Sequence, residues 1–298
     1  MKSVKLILFS AMFVLLTGNL FSQTQTRPPG TGTQSDPYLI STINHLAWMS
    51  ENSAAWWLSP TTSVFFKQIA DIDASVTTNW NSGAGFRPIG HQATVNGQSG
   101  RHFVGEYDGQ HYTISNLFIN RSGSDDRAGF FNEVTGINEN TRSVVRNLKL
   151  VNANIKNGAG NPSYVGGIAA RVRNAVISNC STTGTIGNSL SITIIAGGIA
   201  GDIRSNTLIK FSYSLANVTA LGGVASYAGG LVGYASSDNT GTDAGIRDSY
   251  SRGNVRAEGQ PVFSNFGAGG IVGRIENNNS SIERCYATGR VELSRVCP

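Results

Sequence analysis

A Gly-Gly-aliphatic signature, recurring at nearly constant spacing, limits what this chain can fold into more than any other feature. It reads Val165-Gly166-Gly167-Ile168, Ala196-Gly197-Gly198-Ile199, Ala228-Gly229-Gly230-Leu231 and Ala268-Gly269-Gly270-Ile271, with a weaker copy at Ala128-Gly129-Phe130-Phe131. The second glycines stand 31, 32 and 40 residues apart, and the last three strong copies run on to Gly201, Gly233 and Gly273. Each signature is followed by an isoleucine block, Ile177 to Cys180, Ile209 to Ser212, Ile246 to Ser249 and Ile282 to Cys285. Seven residues past each isoleucine sits a small residue (Gly184, Ala216, Gly253, Gly289), and nine past it an aliphatic one (Ile186, Val218, Val255, Val291).

Length varies only between these blocks, in polar turn-forming stretches such as 236–245 and 259–267, so each repeat is two or three short strands joined by loops. A short strand cannot bury an apolar face alone. Stacking like on like puts Ile over Ile and Val over Val and closes the backbone hydrogen bonds between layers. Glycine at fixed corners is expected to permit the bends. A propeller blade needs four strands, which 31–32 residues hardly hold, and leucine-rich repeats carry more leucine. The expected fold is all-β, a right-handed parallel β-helix, with Ile177, Ile209, Ile246 and Ile282 as one inward column and Ile186, Val218, Val255 and Val291 as another.

Regular repeats are expected from about residue 127 within a β-helix spanning 64–298. The blocks Tyr112 to Ile119 and Val145 to Leu150 both resemble the isoleucine block and extend the layers upstream. Residues 23–63 read as a leader and capping segment. Ser41 and Thr42 precede Ile43, Leu46, Ala47 and Met49, an N-cap followed by helical spacing, near Trp48, Trp56 and Trp57. A short aromatic helix would cover the open β-helix end; the alternative is a tryptophan platform for sugars. At the other end no cap follows Val291, so the last layer should expose strand edge and apolar side chains.

Lys2 and Lys5, the uncharged run Leu6 to Leu16 and the small residue Ser22 have the layout of a cleaved export signal over residues 1–22. That run is too short to span a membrane, and no Cys near residue 22 supports a lipid anchor. Without Lys2 and Lys5, 21 of the 23 basic side chains remain to oppose 18 acidic ones, a net charge of only +3, which argues against nucleic acid or an anionic membrane surface. Three cysteines make no disulfide framework. Cys180 and Cys285 share one repeat register, so they should lie on the order of 14 Å apart at ~4.8 Å per layer, beyond disulfide reach; Cys297 stands at the chain end.

The Gly-Gly-[Ile/Leu]-[Val/Ala]-Gly signature resembles the GLUG-motif repeat proteins of bacterial cell surfaces. So do the opening Gly30 to Ile40, Phe86-Arg87-Pro88-Ile89-Gly90 and Phe103 to Ile114. The resemblance covers roughly residues 30–298. It implies an exported, surface-associated, adhesin-like β-helix, in some members the non-catalytic part of a protease. Such proteins often continue into further modules or a sorting domain, and this chain stops in mid-repeat, so a longer parent chain is expected.

Chemistry is sparse. His45, His91, His102 and His111 form no His-Glu-x-x-His pair, and no Gly-x-Ser-x-Gly elbow, phosphate loop or zinc-spaced Cys pair exists. β-Helices also host polysaccharide lyases and hydrolases, which work through paired carboxylates; the candidates are Asp71/Asp73 on one strand face, Glu106/Asp108, and Asp125/Asp126. Asp108-Gly109 reads as a turn and Asp125-Asp126 as a solvated loop. No cofactor is expected, although calcium is possible. Two readings stay open: a non-catalytic adhesion or interaction module that meets a glycan or a host or cell-surface protein, and a carbohydrate-active enzyme with its site in residues 60–130. The binding candidates are Tyr213, Tyr250 and Tyr286, four residues after their isoleucines, with Ser181 in the earliest copy. Their parity points them outward as a ladder that could stack on sugar rings or anchor a protein; the alternative is that they only brace one another.

Overall fold

The computed structural model describes residues 23–295 apart from 58, 60, 92–93, 96–97, 100–101, 122–126, 159–161, 190–191, 223, 237–243, 260–264 and 277–279. The chain coils into a parallel β-solenoid whose strands build four long sheets. Sheet I holds eight strands, from Tyr38–Ile40 through Ala175–Ser178 to Ser281–Glu283, and sheet II eleven, from Ile72–Asp73 through Ser181–Ser189 to Val291–Arg295. Sheets III and IV hold five each, with Ser163–Gly166 and Ala169–Arg173 as representative strands. One regular coil runs sheet III, sheet IV, sheet I, sheet II. The four Gly-Gly signatures form the turn from III to IV, and each isoleucine block forms the corner from I to II.

Both expected columns are present. Ile177 pairs with Ile209, Ile209 with Ile246 and Ile246 with Ile282; Ile186, Val218, Val255 and Val291 pair in the same way. Upstream, the first column continues through Val145, Tyr107, Phe66 and Tyr38, so the ladder begins at Tyr38, ahead of the start that the repeats suggested. Large aromatics fill the early layers and isoleucines the later ones. One equivalence fails: Ile114 pairs with Leu150 in sheet II, and Tyr107 takes the place opposite Val145. The motif aliphatic-x-Asn-Leu marks a left-handed corner, at Asn116 (φ 59°) as at Asn147 (φ 55°), and such corners occur at more than one place in a coil.

The signature glycines are needed for closeness, not for unusual backbone. Their φ values lie outside the left-handed range. A Cβ on Gly197 would stand 1.9 Å from the Ala200 carbonyl oxygen, and one on Gly198 would stand 2.2 Å from the Gly230 carbonyl of the next coil. Here sheets III and IV meet backbone against backbone, a contact that any side chain would prise apart. The true left-handed position is two residues after the column residue in the later coils, from Val145 on: Asn147, Asn179, Phe211, Asp248 and Arg284 have φ of 48–55°. Asn accepts that conformation readily, whereas it costs most other residues about 1–2 kcal/mol.

The N-terminal end is covered as expected. Helix α1 (Ile43–Glu51) is capped by Thr42, whose hydroxyl accepts from the His45 N–H at 3.2 Å, and α2 (Ser53–Trp56) follows it. Trp48, Trp56 and Trp57 are buried in the core; Trp48 packs edge-on to Tyr38 and Trp56 to Phe66. They are lid, not sugar platform. At the far end, the last described coil exposes Ile282, Val291 and Leu293.

These burials make the column testable. Ile246 is 1% exposed and Ile282 42%, so Ile246→Ala should cost about 2–5 kcal/mol of stability and Ile282→Ala far less. Ile246→Asp should unfold at least the neighbouring coils. Equal urea midpoints for the two alanine variants would contradict the register.

Candidate functional site

The isoleucine corner sends alternate residues inward and outward along sheet II. Ser212, Ser214, Ala216 and Val218 are buried, while Phe211, Leu215 and Asn217 are exposed and Tyr213 is half-buried. The next coil repeats this, so Tyr213 pairs with Tyr250 and Tyr250 with Tyr286. The tyrosines do point outward. Their rings stack at centroid distances of 4.9 and 5.0 Å, with interplanar angles of 2° and 5°. Each face of the Tyr250 ring is therefore covered by a neighbour, leaving edges and hydroxyls for a ligand. Arg252 lies over the edge of the stack, 5.2 Å from the Tyr250 centroid, and its Nη2 donates to Tyr286 Oη at 3.2 Å.

The inward side of the same corner explains two cysteines. Cys180, Ser212, Ser249 and Cys285 follow the left-handed residue, and each points its Sγ or Oγ to the carbonyl two residues back. The Ser212 and Ser249 hydroxyls also accept the backbone N–H of Cys180 and Ser212 from the preceding coil, each at 3.1 Å. Cys180 and Cys285 are free thiols. Burial pushes the Cys180 thiol up to about 12, so it is an unreactive corner filler. Cys297 lies outside the described residues.

The carboxylate candidates are all engaged in structure. Asp71 accepts from the Thr113 N–H at 2.7 Å and Asp73 from Ser75 and Asn116, and these bonds hold both carboxyls below the usual range. Glu106 pairs with Arg146 at 2.7 Å, and Asp108 accepts from Asn147 and Gln110. Asp125 and Asp126 lie outside the described residues. Among the described residues, no three His, Cys, Asp or Glu side chains converge as a metal site. A pocket on sheet II, bordered by Lys156, Thr185, Gly187, Thr219 and Leu221, has no carboxylate in its lining.

A polar seam on the outer side of the III–IV turn was not foreseen from sequence. Glu133, Arg171, Asp202, Tyr234 and Arg274 occupy one column of sheet IV, facing Arg127, Tyr164 and Tyr227 of sheet III. Glu133 pairs with Arg127 at 2.6 Å, and His102 stands 3.4 Å away. Asp202 Oδ2 receives Arg171 at 3.1 Å and Arg204 at 2.8 Å. Arg171 covers the Tyr164 ring at 4.4 Å. Alternation of sign from Glu133 to Arg171 to Asp202 in successive repeats was the available signal, hidden because these residues stand 31–38 positions apart in the chain. Glu133 and Asp202 are the two carboxylates of this seam, and both are closed off from solvent and locked to arginines.

Desolvation outweighs both arginines at Asp202 and raises its carboxyl above the usual range; Oδ1 is buried without a hydrogen-bond partner. A raised folded-state pKa means that the group contributes stability in acid and that this contribution is lost as pH climbs through the folded value. Asp202→Asn, which cannot ionise, should therefore gain on the wild type as pH rises from about 4 toward neutrality. Urea melts at several pH values check this, and a constant difference between the two proteins would refute it.

Fold and faces together define a parallel β-solenoid repeat protein. The family model described as the GLUG motif matches residues 161–187 and 264–292, one stretch on the first strong Gly-Gly turn and one on the last. Halomucin of Haloquadratum walsbyi is 34% identical over 192 residues, or 64% of this chain, and the match spans 2% of Halomucin's length. The crystal structure of a candidate immunoglobulin A1 protease from Bacteroides ovatus superposes with a TM-score of 0.59 at 23% identity, covering 89% of this chain and 79% of that one. At that identity the likeness concerns fold alone.

Proposed function

We propose that this chain is a secreted or cell-surface, non-catalytic β-helix module that works by adhesion, with the outer face of sheet II around Tyr213, Tyr250 and Tyr286 as its contact surface. The observation that carries this is the tyrosine ladder itself: three aromatic side chains stacked in register on the solvent side, where the core does not require them. The layout of residues 1–22 supports export, and no described helix is long and apolar enough to cross a membrane. Similarity to Halomucin supports placing such repeats within much larger parent chains. The rival reading, a polysaccharide lyase or hydrolase acting through residues 60–130, finds less support, because the described carboxylates there are tied into turns and ion pairs. Calcium has no support beyond its general use in such folds.

Removing one ring tests the contact surface. Tyr250→Ala should weaken adhesion to glycan-coated or cell-coated surfaces at least tenfold, while losing about 0.5–1.5 kcal/mol of stability per broken ring contact. Unchanged adhesion, or adhesion that falls only in step with unfolding, would remove the ladder from the function.

A further inference from the structure

The tyrosine ladder is the middle column of a larger grid. Its left column is the left-handed corner, Phe211, Asp248 and Arg284, held in step by Phe211 N–H donating to the Arg247 carbonyl at 3.3 Å and Asp248 N–H to that of Glu283 at 3.1 Å. Its right column is Leu215, Arg252 and Thr288, whose N–H groups bond back to Thr182, Ser214 and Ser251. The columns lie two strand residues apart and the rows one coil apart, which gives a patch of roughly 10 by 13 Å at ~4.8 Å per coil and ~3.3 Å per residue.

One row of this grid is wholly apolar. Phe211 is 54% exposed and Leu215 42%, with Tyr213 between them. Phe211 does so at φ 51°, a conformation the preceding coil gives to Asn179 and the following one to Asp248. Folding does not call for phenylalanine there: the position is outward, strained for a bulky side chain, and filled by polar residues in neighbouring coils. The row is flanked by cations. Lys210 Nζ lies 5.8 Å from the Phe211 ring centroid and Arg252 stands beyond the tyrosines, neither with a carboxylate partner among the described residues. Asp248 and Arg284 neutralise each other through a bidentate pair at 2.5 and 2.9 Å.

We infer that this grid is a protein-docking surface, anchored by Phe211, Tyr213 and Leu215 and completed by Tyr250, whose partner is a protein presenting an apolar side chain flanked by carboxylates. The inference rests on the adhesion reading and names the partner's chemistry. Sugar rings bind aromatic faces, and in the ladder both faces of Tyr250 and one face each of Tyr213 and Tyr286 are turned to a neighbouring ring. Leucine offers a sugar little, whereas apolar and aromatic anchors with arginine at a charged rim are the composition of protein hot spots. A second copy of the same face is disfavoured, because it would bring Lys210 and Arg252 of one molecule against cations of the other.

The test uses the whole chain on an array carrying purified extracellular proteins, intact and enzymatically deglycosylated, beside purified glycans. Three variants accompany the wild type: Phe211→Asn, which installs the preceding coil's residue and relieves the backbone, Leu215→Ser and Tyr250→Ala. The expected result is binding to at least one protein that survives deglycosylation and weakens with salt. Phe211→Asn should lose at least tenfold in affinity at an unchanged or raised melting temperature. Binding confined to glycans overturns the inference but leaves adhesion standing if Tyr250→Ala abolishes it. Protein binding that Phe211→Asn and Leu215→Ser leave intact also overturns it. No wild-type signal on either class removes both readings.

Discussion

Every feature of this molecule depends on the parallel hydrogen-bond ladder that locks each residue over its counterpart one coil earlier. A parallel ladder has one spacing and one register, so a side chain that suits one layer meets the same kind of side chain in the next. From Tyr38 to Ile282 a single column passes through eight coils without leaving register. Insertions fall in the loops, apart from one extra residue between Leu150 and Ala153 that is absorbed as a bulge, because a plain insertion inside a strand would turn its apolar set outward. Core, corner and surface are thereby separated by parity alone.

The same ladder sets two different demands on the coil. At the I–II corner a residue must adopt left-handed backbone, and the hydroxyl or thiol after it closes the turn carbonyl. At the III–IV turn the two sheets touch backbone to backbone and the next coil lies directly on the turn, so the Gly-Gly pair of each strong repeat is required by distance, while the third position is Gly in three coils and Ala170 in the first. Folding the sheets so sharply also brings their outer faces together. Tyr164, Ile195 and Tyr227 are buried outside the main core for that reason, and the arginine–carboxylate column closes over them. This second, polar seam holds the turn shut from outside while the glycines allow it from inside.

What could be read in the sequence was whatever repeats in every coil. The inward columns, the outward parity of Tyr213, Tyr250 and Tyr286, and the free cysteines all follow from position within the repeat. The motif at Ile114 to Leu117 misled because a left-handed Asn corner looks the same within sheet II, at Asn116, as where sheet I meets sheet II, at Asn147. The Glu133, Arg171, Asp202 seam was hidden because its members change identity from coil to coil, and their complementarity exists only across layers. Stacking of the tyrosine faces was equally out of reach: parity gives the side a ring emerges on, and rotamers decide which way it turns.

That distinction between side and rotation bears on how such a surface acquires a role. Outward columns owe the fold only β-compatible backbone and tolerable corners, so their side chains can change with little effect on the core behind them. A ladder of like aromatics arises from the register at almost no entropic expense, since each ring is immobilised by its neighbours. Surfaces made this way are rigid and ordered before any partner arrives, which lowers the cost of association. The residue that breaks the economy is Phe211. It pays backbone strain and solvent exposure together, in a coil whose neighbours show polar solutions at the same position. Stability alone does not account for it, and its place beside three stacked tyrosines is the feature that the proposed docking surface would explain.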